Sequence, residues 1–107
     1  PFRVGEGKVD RLESGGPVLG LLDQVTFECG EVVLAPGDVL AMVTDGATEA
    51  LSPQDEEFGD DRVSAALTTS HRAPAARALS HLLTTVEAWT GAAGCTDDLT
   101  ALLLKAL

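Results

Sequence analysis

Basic residues are scarce in this chain. Its 107 residues include 7 Lys and Arg against 17 Asp and Glu, which gives a formal net charge of −10. Such a balance repels nucleic acid and anionic membranes, so we expect neither as a partner. We interpret the acidic surface mainly as a means of keeping the protein soluble.

Long apolar runs are also missing. Apolar runs such as Ala101 to Leu104 fall far short of the roughly 20 residues that a membrane-spanning helix needs. No basic-then-apolar signal segment opens the chain, and we therefore expect a cytoplasmic protein. Because the chain begins at Pro1 rather than Met, we expect it to be a portion of a longer protein.

Several chemistries lack the residues they would need. Cys29 and Cys95 are far apart and belong to no Cys-x-x-Cys spacing, so we expect two reduced thiols rather than a zinc site or a disulfide. No Ser or Cys lies in a Gly-x-Ser-x-Gly setting. The segment GEGKVD lacks the spacing of a phosphate-binding loop. Nothing in the sequence resembles a nucleophile–base pair.

The apolar pattern predicts strands in the first part of the chain and again at its end. Hairpins are expected over residues 1–12 and 25–35, the latter because apolar and polar residues alternate there. Further strands are expected at 38–44 and 99–105. Both carry apolar residues on both sides, which predicts a layer of structure over each face of the sheet.

Two helices are predicted between those last two strands. The first covers about 61–69, with Asp60 or Asp61 as its cap. The second covers about 74–90, where an apolar stripe repeats at helical spacing until Gly91 ends it. Strands, then helices, then a returning strand indicate the α+β class rather than a βαβ repeat.

Aspartates mark the facing ends of the two apolar strands. If those strands are antiparallel neighbours, Asp45 and Asp97 face each other at one rim of the sheet. Two close carboxylates repel each other, and a hard divalent cation removes the conflict. The alternative is that Asp45 caps a short helix at 47–51, and that Asp97 and Asp98 are solvated turn residues.

Five short segments follow one another in a familiar order and spacing. They are GGPVLGL (15–21), LAPGDVL (34–40), TDGATEA (44–50), EEFGDDR (56–62) and DDLT (97–100). Together they resemble the C-terminal half of the SpoIIE-like branch of the bacterial PPM serine/threonine phosphatases. The resemblance covers about residues 12–106.

The resemblance implies a four-layer α/β/β/α fold, in which two antiparallel sheets pack together with helices outside. Residues 1–107 would be the C-terminal portion of one such domain, with the N-terminal portion missing. The family's N-terminal half carries an Asp-x-x-Gly-His-Gly motif whose aspartate bridges two metal ions, and no such motif occurs here. We therefore expect this portion alone to bind metal poorly and to hydrolyse little.

The resemblance also assigns roles at one rim of the sandwich. Asp45 and Asp97 would be ligands of Mn²⁺ or Mg²⁺, two or more ions being bound in the complete domain. Gly46 would let the backbone turn tightly beside the metal, and Glu49 would help to order the following turn. Asp98, where relatives often carry Asn, would support the site from behind or cap the turn.

The implied activity is hydrolysis of a phosphoserine or phosphothreonine by a metal-activated water. The implied partner is a phosphorylated regulatory protein, such as an anti-sigma-factor antagonist. One alternative is a non-catalytic module that keeps the fold for protein contacts. A weaker alternative is an acidic globular domain whose aspartates are only turn residues.

Overall fold

The computed structural model describes residues 1–6, 8–94 and 97–107. Its elements, in chain order, are strands β1 (Phe2–Gly5), β2 (Lys8–Arg11) and β3 (Val39–Val43), helices α1 (Asp45–Thr48), α2 (Gly59–Ser70) and α3 (Ala75–Thr90), and strand β4 (Ala101–Lys105). The predicted α+β class is confirmed.

The four strands form one antiparallel sheet in the order β2-β1-β3-β4. β1 and β2 make the predicted hairpin, and Glu6 in their turn has a positive φ of 46°. β3 pairs along its whole length with β4, from Val39 opposite Lys105 to Val43 opposite Ala101. The last strand is therefore the antiparallel neighbour of β3, and this is the arrangement that would bring Asp45 and Asp97 to one rim.

One face of the sheet packs against the helices. The core residues of this face and of the helices are Phe2, Val4, Val39, Ala41, Phe58, Val63, Leu67, Leu82 and Val86. α3 ends at Gly91, which takes a φ of 66°, as its predicted stop requires. The predicted cap of α2 is wrong, because Phe58 occupies the N-cap. Asp60 and Asp61 lie in the first turn, where carboxylates favour the helix dipole.

The opposite face of the sheet is open. Met42 is 38% exposed, and Leu102 and Leu104 are 59% and 55% exposed. The prediction of cover on both faces is therefore wrong for this chain, since its described residues place no layer there. A strand that is apolar on both sides indicates burial in a complete domain, but it does not indicate which segment supplies the cover.

The predicted hairpin over residues 25–35 is also wrong, because the structure has no strand in that segment. Its connection to the neighbouring loop includes one main-chain bond, from the N–H of Glu28 to the carbonyl of Gly15 at 2.9 Å. Val33 is 85% exposed. Alternating polarity shows which residues would share a face of a strand, but a ladder also needs a partner strand.

The acidic loop before α2, at residues 52–58, is held by hydrogen bonds between side chains and its main-chain groups. Ser52 Oγ accepts the N–H groups of Gln54 and Glu56, each at 3.2 Å. The indole N–H of Trp89 donates to the Glu56 carbonyl at 3.0 Å. The loop is thus an ordered connection to α3, although its carboxylates face solvent.

Cys29 is an exposed free thiol. Cys95 lies outside the described residues, so the expectation of two reduced thiols remains a prediction. Among the helices that the structure describes, none combines the length and apolar character needed to cross a membrane.

Candidate metal centre

Asp45 stands two residues beyond the end of β3. Thr44 is the N-cap of α1, with extended backbone angles (φ −84°, ψ 168°), and Asp45 is the first helical residue. Asp45 therefore does not cap this helix, as one alternative supposed. Its side chain is exposed, and within the described parts of the chain its carboxylate has no hydrogen-bond or ion-pair partner. No described residue therefore occupies either carboxylate oxygen, and both could accept an external ligand.

Asp97 comes to the same rim by way of β4. The ladder between β3 and β4 continues one step past their ends, where Thr44 N–H donates to the carbonyl of Thr100 at 3.0 Å. Asp97 is exposed, and its Oδ1 accepts the N–H of Asp98 at 2.8 Å. No partner for Oδ2 occurs among the residues that the structure describes. The distance between the Asp45 and Asp97 carboxylates stays a prediction.

Gly46 is where the two segments touch most closely. A Cβ placed on this residue would overlap the carbonyl oxygen of Asp98 and lie 2.7 Å from its carbonyl carbon. Gly46 is buried and does not have a positive φ. Glycine is needed here because the Asp98 peptide occupies the space of a side chain, so the Asp45 turn and the Asp97 segment can approach.

The other two residues assigned by the resemblance contribute main-chain bonds. The N–H of Glu49, the C-cap of α1, donates to the carbonyl of Asp45 at 2.8 Å. Asp98 supplies the N–H bonded to Asp97 and the carbonyl that packs on Gly46. Both carboxylates are exposed and lack partners among residues 1–6, 8–94 and 97–107. A role for either carboxylate remains a prediction.

Thr44 is the residue that the sequence interpretation missed. Its Oγ1 lies 3.0 Å from the N–H of Thr100 and 3.3 Å from the carbonyl oxygens of both Asp98 and Thr100. These partners are more than 50 residues away along the chain. The available signal was a hydroxyl residue at the end of a strand, directly before the candidate ligand.

The donor types at this rim suit a hard divalent cation. Carboxylate oxygens are the ligands that Mg²⁺ and Mn²⁺ prefer, and Mg²⁺ commonly uses only one or two protein carboxylates together with water. In the described ranges no three His, Cys, Asp or Glu side chains converge as a metal-binding group. Asp45 and Asp97, with the close approach at Gly46, therefore fit part of a metal site rather than a closed one.

A shallow cavity of about 280 Å³ adjoins Asp45 and also contacts Arg11, Thr48 and Asp60. Within it Arg11 forms an ion pair with Asp60 at 2.8 Å. A larger cavity, about 660 Å³, lies at the opposite end of the sheet beside Asp38 and Lys105. Asp38 and Lys105 in that cavity already have hydrogen-bond partners within the chain, so the size of a cavity does not by itself identify a site with unpaired carboxylates.

Asp38, just before β3, is buried and is hydrogen-bonded through one of its carboxylate oxygens. Its Oδ2 accepts the N–H of Ala35 at 3.0 Å and two donors of Arg3, Nε at 3.2 Å and Nη2 at 2.8 Å. Arg3 also bonds Asp10 at 3.0 Å. The Ala35 N–H and the Arg3 guanidinium outweigh the effect of burial and hold the pKa of the Asp38 carboxyl below its ordinary value.

Residues 1–107 match the family model described as Stage II sporulation protein E (SpoIIE) along their whole length. The chain belongs to the SpoIIE family. It is 40% identical over 68 residues to Protein IcfG of Synechocystis sp., a stretch covering 64% of this chain and 11% of that protein. This membership places the chain among the PPM-type phosphatases, as the five segments predicted.

The fold of the SpoIIE-family chain is shared with a solved structure. The SiaA-PP2C domain of Pseudomonas aeruginosa superposes with a TM-score of 0.82 at 24% identity. The match covers 97% of this chain and 41% of the SiaA-PP2C chain. The sheet and helices described above are therefore a PP2C-like arrangement, and this chain spans less than half of the matched structure.

Proposed function

We propose that this chain supplies two metal ligands, Asp45 and Asp97, to a protein serine/threonine phosphatase of the SpoIIE family. The observation that carries the proposal is the rim at the end of β3. There an exposed Asp45 carboxylate, without a partner among the described residues, stands beside the segment that holds Asp97, and Gly46 permits the close approach.

The chemistry requires no protein nucleophile. Divalent cations supply, when bound, a lowered pKa of water and neutralisation of the phosphoryl oxygens. Asp45 and Asp97 would bind Mn²⁺ or Mg²⁺ through their free oxygens. The Asp98 N–H would keep the Asp97 carboxylate oriented, since its bond to Oδ1 fixes one oxygen and leaves the other directed outward.

Two carboxylates are an incomplete set for a pair of cations. This chain spans 41% of the SiaA-PP2C chain and 11% of Protein IcfG. We infer that the bridging aspartate and the remaining ligands come from the rest of the domain. The open face around Leu102 and Leu104 is where we expect that remainder to pack.

The substrate that we propose is a phosphoserine or phosphothreonine on a regulatory protein, such as an anti-sigma-factor antagonist. The support for this partner is the resemblance of the five segments. The net charge of −10 makes nucleic acid an unsuitable ligand, because like charges repel.

The test is Mn²⁺-dependent hydrolysis of a phosphoserine peptide by the full-length protein. Asp45→Asn and Asp97→Asn should each lower kcat/KM by at least about 100-fold, because each removes a charged ligand rather than a supporting contact. The Tm of the metal-free protein should not fall in Asp45→Asn, since the Asp45 carboxylate makes no contact with the described residues that an amide would lose.

Asp10→Asn is the matched control, because it makes the same change on the same sheet away from the rim. It should retain full activity. Retained activity in both Asp45→Asn and Asp97→Asn would contradict the site. A wild-type protein that binds phosphopeptide without hydrolysing it at any Mn²⁺ concentration would favour the non-catalytic binding module.

A further inference from the structure

Thr44 joins the two ligand-bearing segments through its hydroxyl group. A threonine hydroxyl has one proton to donate and two lone pairs that accept. Thr44 Oγ1 accepts the N–H of Thr100 at 3.0 Å, which leaves its proton for a carbonyl. The two candidates, on Asp98 and Thr100, are both at 3.3 Å.

The hydroxyl proton is best assigned to the Asp98 carbonyl. The Thr100 carbonyl already accepts the main-chain N–H of Thr44 at 3.0 Å. The Asp98 carbonyl is the group that packs on Gly46, and no other donor to it occurs in the described ranges. Thr44 would thus donate to the carbonyl of Asp98, whose peptide group occupies the space beside Gly46.

A short chain of bonds then connects the Asp45 turn to the Asp97 carboxylate. Thr44 Oγ1–H donates to the Asp98 carbonyl, and the Asp98 N–H donates to Asp97 Oδ1 at 2.8 Å. The first bond fixes the backbone of Asp98 and the second fixes the side chain of Asp97. Thr44 is also the residue that directly precedes Asp45.

We propose that Thr44 is a positioning residue, whose hydroxyl holds the Asp45 and Asp97 carboxylates at the spacing that the divalent cation requires. It does not touch the cation, and it acts through the Asp98 peptide group. The inference rests on the proposed function, since it assumes that these two aspartates bind metal. A hydrogen bond of this kind contributes about 1 kcal/mol, which corresponds to roughly a fivefold change in an equilibrium constant.

The experiment measures Mn²⁺ binding to the full-length protein by titration calorimetry, alongside the Tm without metal. Thr44→Val keeps the β-branched shape and removes the hydroxyl, and it should weaken Mn²⁺ binding about three- to tenfold. Thr44→Ser keeps the hydroxyl and should restore wild-type affinity. Thr69→Val is the matched control, because the one partner of its hydroxyl among the described residues is the Ala65 carbonyl within α2.

Each outcome decides the matter. Weakened binding in Thr44→Val, rescue in Thr44→Ser and no change in Thr69→Val support the positioning role. Wild-type affinity in Thr44→Val, with or without a lower Tm, overturns it. If Thr44→Val does not fold, Thr44→Ala is measured by the same criteria, and failure of both to fold shows a role in folding instead.

The same titration separates this inference from the proposed function. Should Asp45→Asn abolish binding while Thr44→Val leaves it intact, only the role of Thr44 fails. Should Asp45→Asn bind Mn²⁺ as the wild type does, the metal site and the role of Thr44 fail together.

Discussion

Asp38 and Asp45 flank the same strand and resemble each other in sequence, since each is part of a turn segment, APGD or TDGA. Asp38 is 4% exposed and accepts three hydrogen bonds, whereas Asp45 is exposed and accepts none on its carboxylate from the described residues. The difference lies in the partners that each end of the sheet supplies. A buried carboxylate that the chain itself hydrogen-bonds supports the fold, whereas an exposed carboxylate without a partner among the described residues is available for an external ligand.

The neighbouring glycines show the same contrast. Gly37, before Asp38, has a φ of 91°, and no described atom lies within 4 Å of the point that a Cβ would occupy, so its backbone conformation is what requires glycine. Gly46, after Asp45, is required by the close approach of the Asp98 peptide. One end of β3 uses glycine to turn the chain, and the other uses it to bring two segments together.

Among the substitutions that test the difference between the two ends of β3, Gly46→Ala is expected to have the largest effect. The added methyl group would overlap the Asp98 carbonyl and push the Asp97 segment away from Asp45. We expect at least about a tenfold loss of Mn²⁺ affinity, comparable to the loss of an outer contact to a metal ligand, and a parallel loss of activity. Titration calorimetry and the phosphopeptide assay measure both.

Gly37→Ala is the control for that substitution. It should lower stability by about 1 kcal/mol, because alanine is strained at a positive φ, while Mn²⁺ affinity stays at the wild-type value. If both substitutions weakened metal binding equally, the two ends of β3 would not differ in the way described.

A smaller effect, on stability alone, is expected for Asp38→Asn. The change removes the charge that pairs with Arg3 and weakens the bond from Ala35 N–H. The Tm should fall, while kcat/KM of the folded protein stays unchanged, because Asp38 lies at the far end of the sheet from Asp45. Differential scanning calorimetry and the phosphopeptide assay together check this pair of outcomes.

Asp10→Asn provides the comparison, because Asp10 and Asp38 both form ion pairs with the Arg3 guanidinium. Asp10 also bonds Arg3, but its side chain is 35% exposed against 6% for Asp38. Its Tm shift should therefore be the smaller of the two. A larger shift for Asp10→Asn, or a loss of activity in Asp38→Asn at full folding, would reverse the roles assigned to the two ends.

The smallest effect is a dependence on pH that belongs to Asp38. Its pKa is lower in the folded chain than the ordinary value of 3.8, so its contribution to stability is full above that value. The contribution is lost as the pH falls through the folded pKa. The Tm difference between the wild type and Asp38→Asn should be constant above about pH 5 and should shrink below about pH 4. A difference that grew on acidification would contradict the assignment.

The sequence predicted those features that depend on local pattern. The apolar stripe of α3 and its stop at Gly91 are local, and both are observed. The pairing of β3 with β4 was only a condition of the argument for Asp45 and Asp97, and the structure shows that the two strands do pair. The predicted hairpin at 25–35 was wrong because alternating polarity does not provide a partner strand. The predicted cover over Leu102 was wrong because an apolar strand does not show which segment covers it.

The bonds that distinguish the two aspartates could not be predicted in the same way. Arg3 and Asp38 are 35 residues apart, and Thr44 and Thr100 are 56 apart. Such pairs are set by strand register, and a one-residue shift would send each side chain to the opposite face. The sequence therefore predicted Asp45 as a candidate ligand without its positioning contact, and no local pattern indicated that Arg3 would fill the bonds of Asp38.

A crystal structure of the full-length protein grown with Mn²⁺, with the metal located by anomalous scattering, would test directly the claim that Asp45 and Asp97 bind the metal. We predict carboxylate oxygens of Asp45 and Asp97 at roughly 2.1 Å from Mn²⁺, the two carboxylates within about 4–6 Å of each other, and no metal at Asp38. Manganese bound without Asp45, or Asp45 and Asp97 carboxylates that point apart across the rim, would contradict the claim.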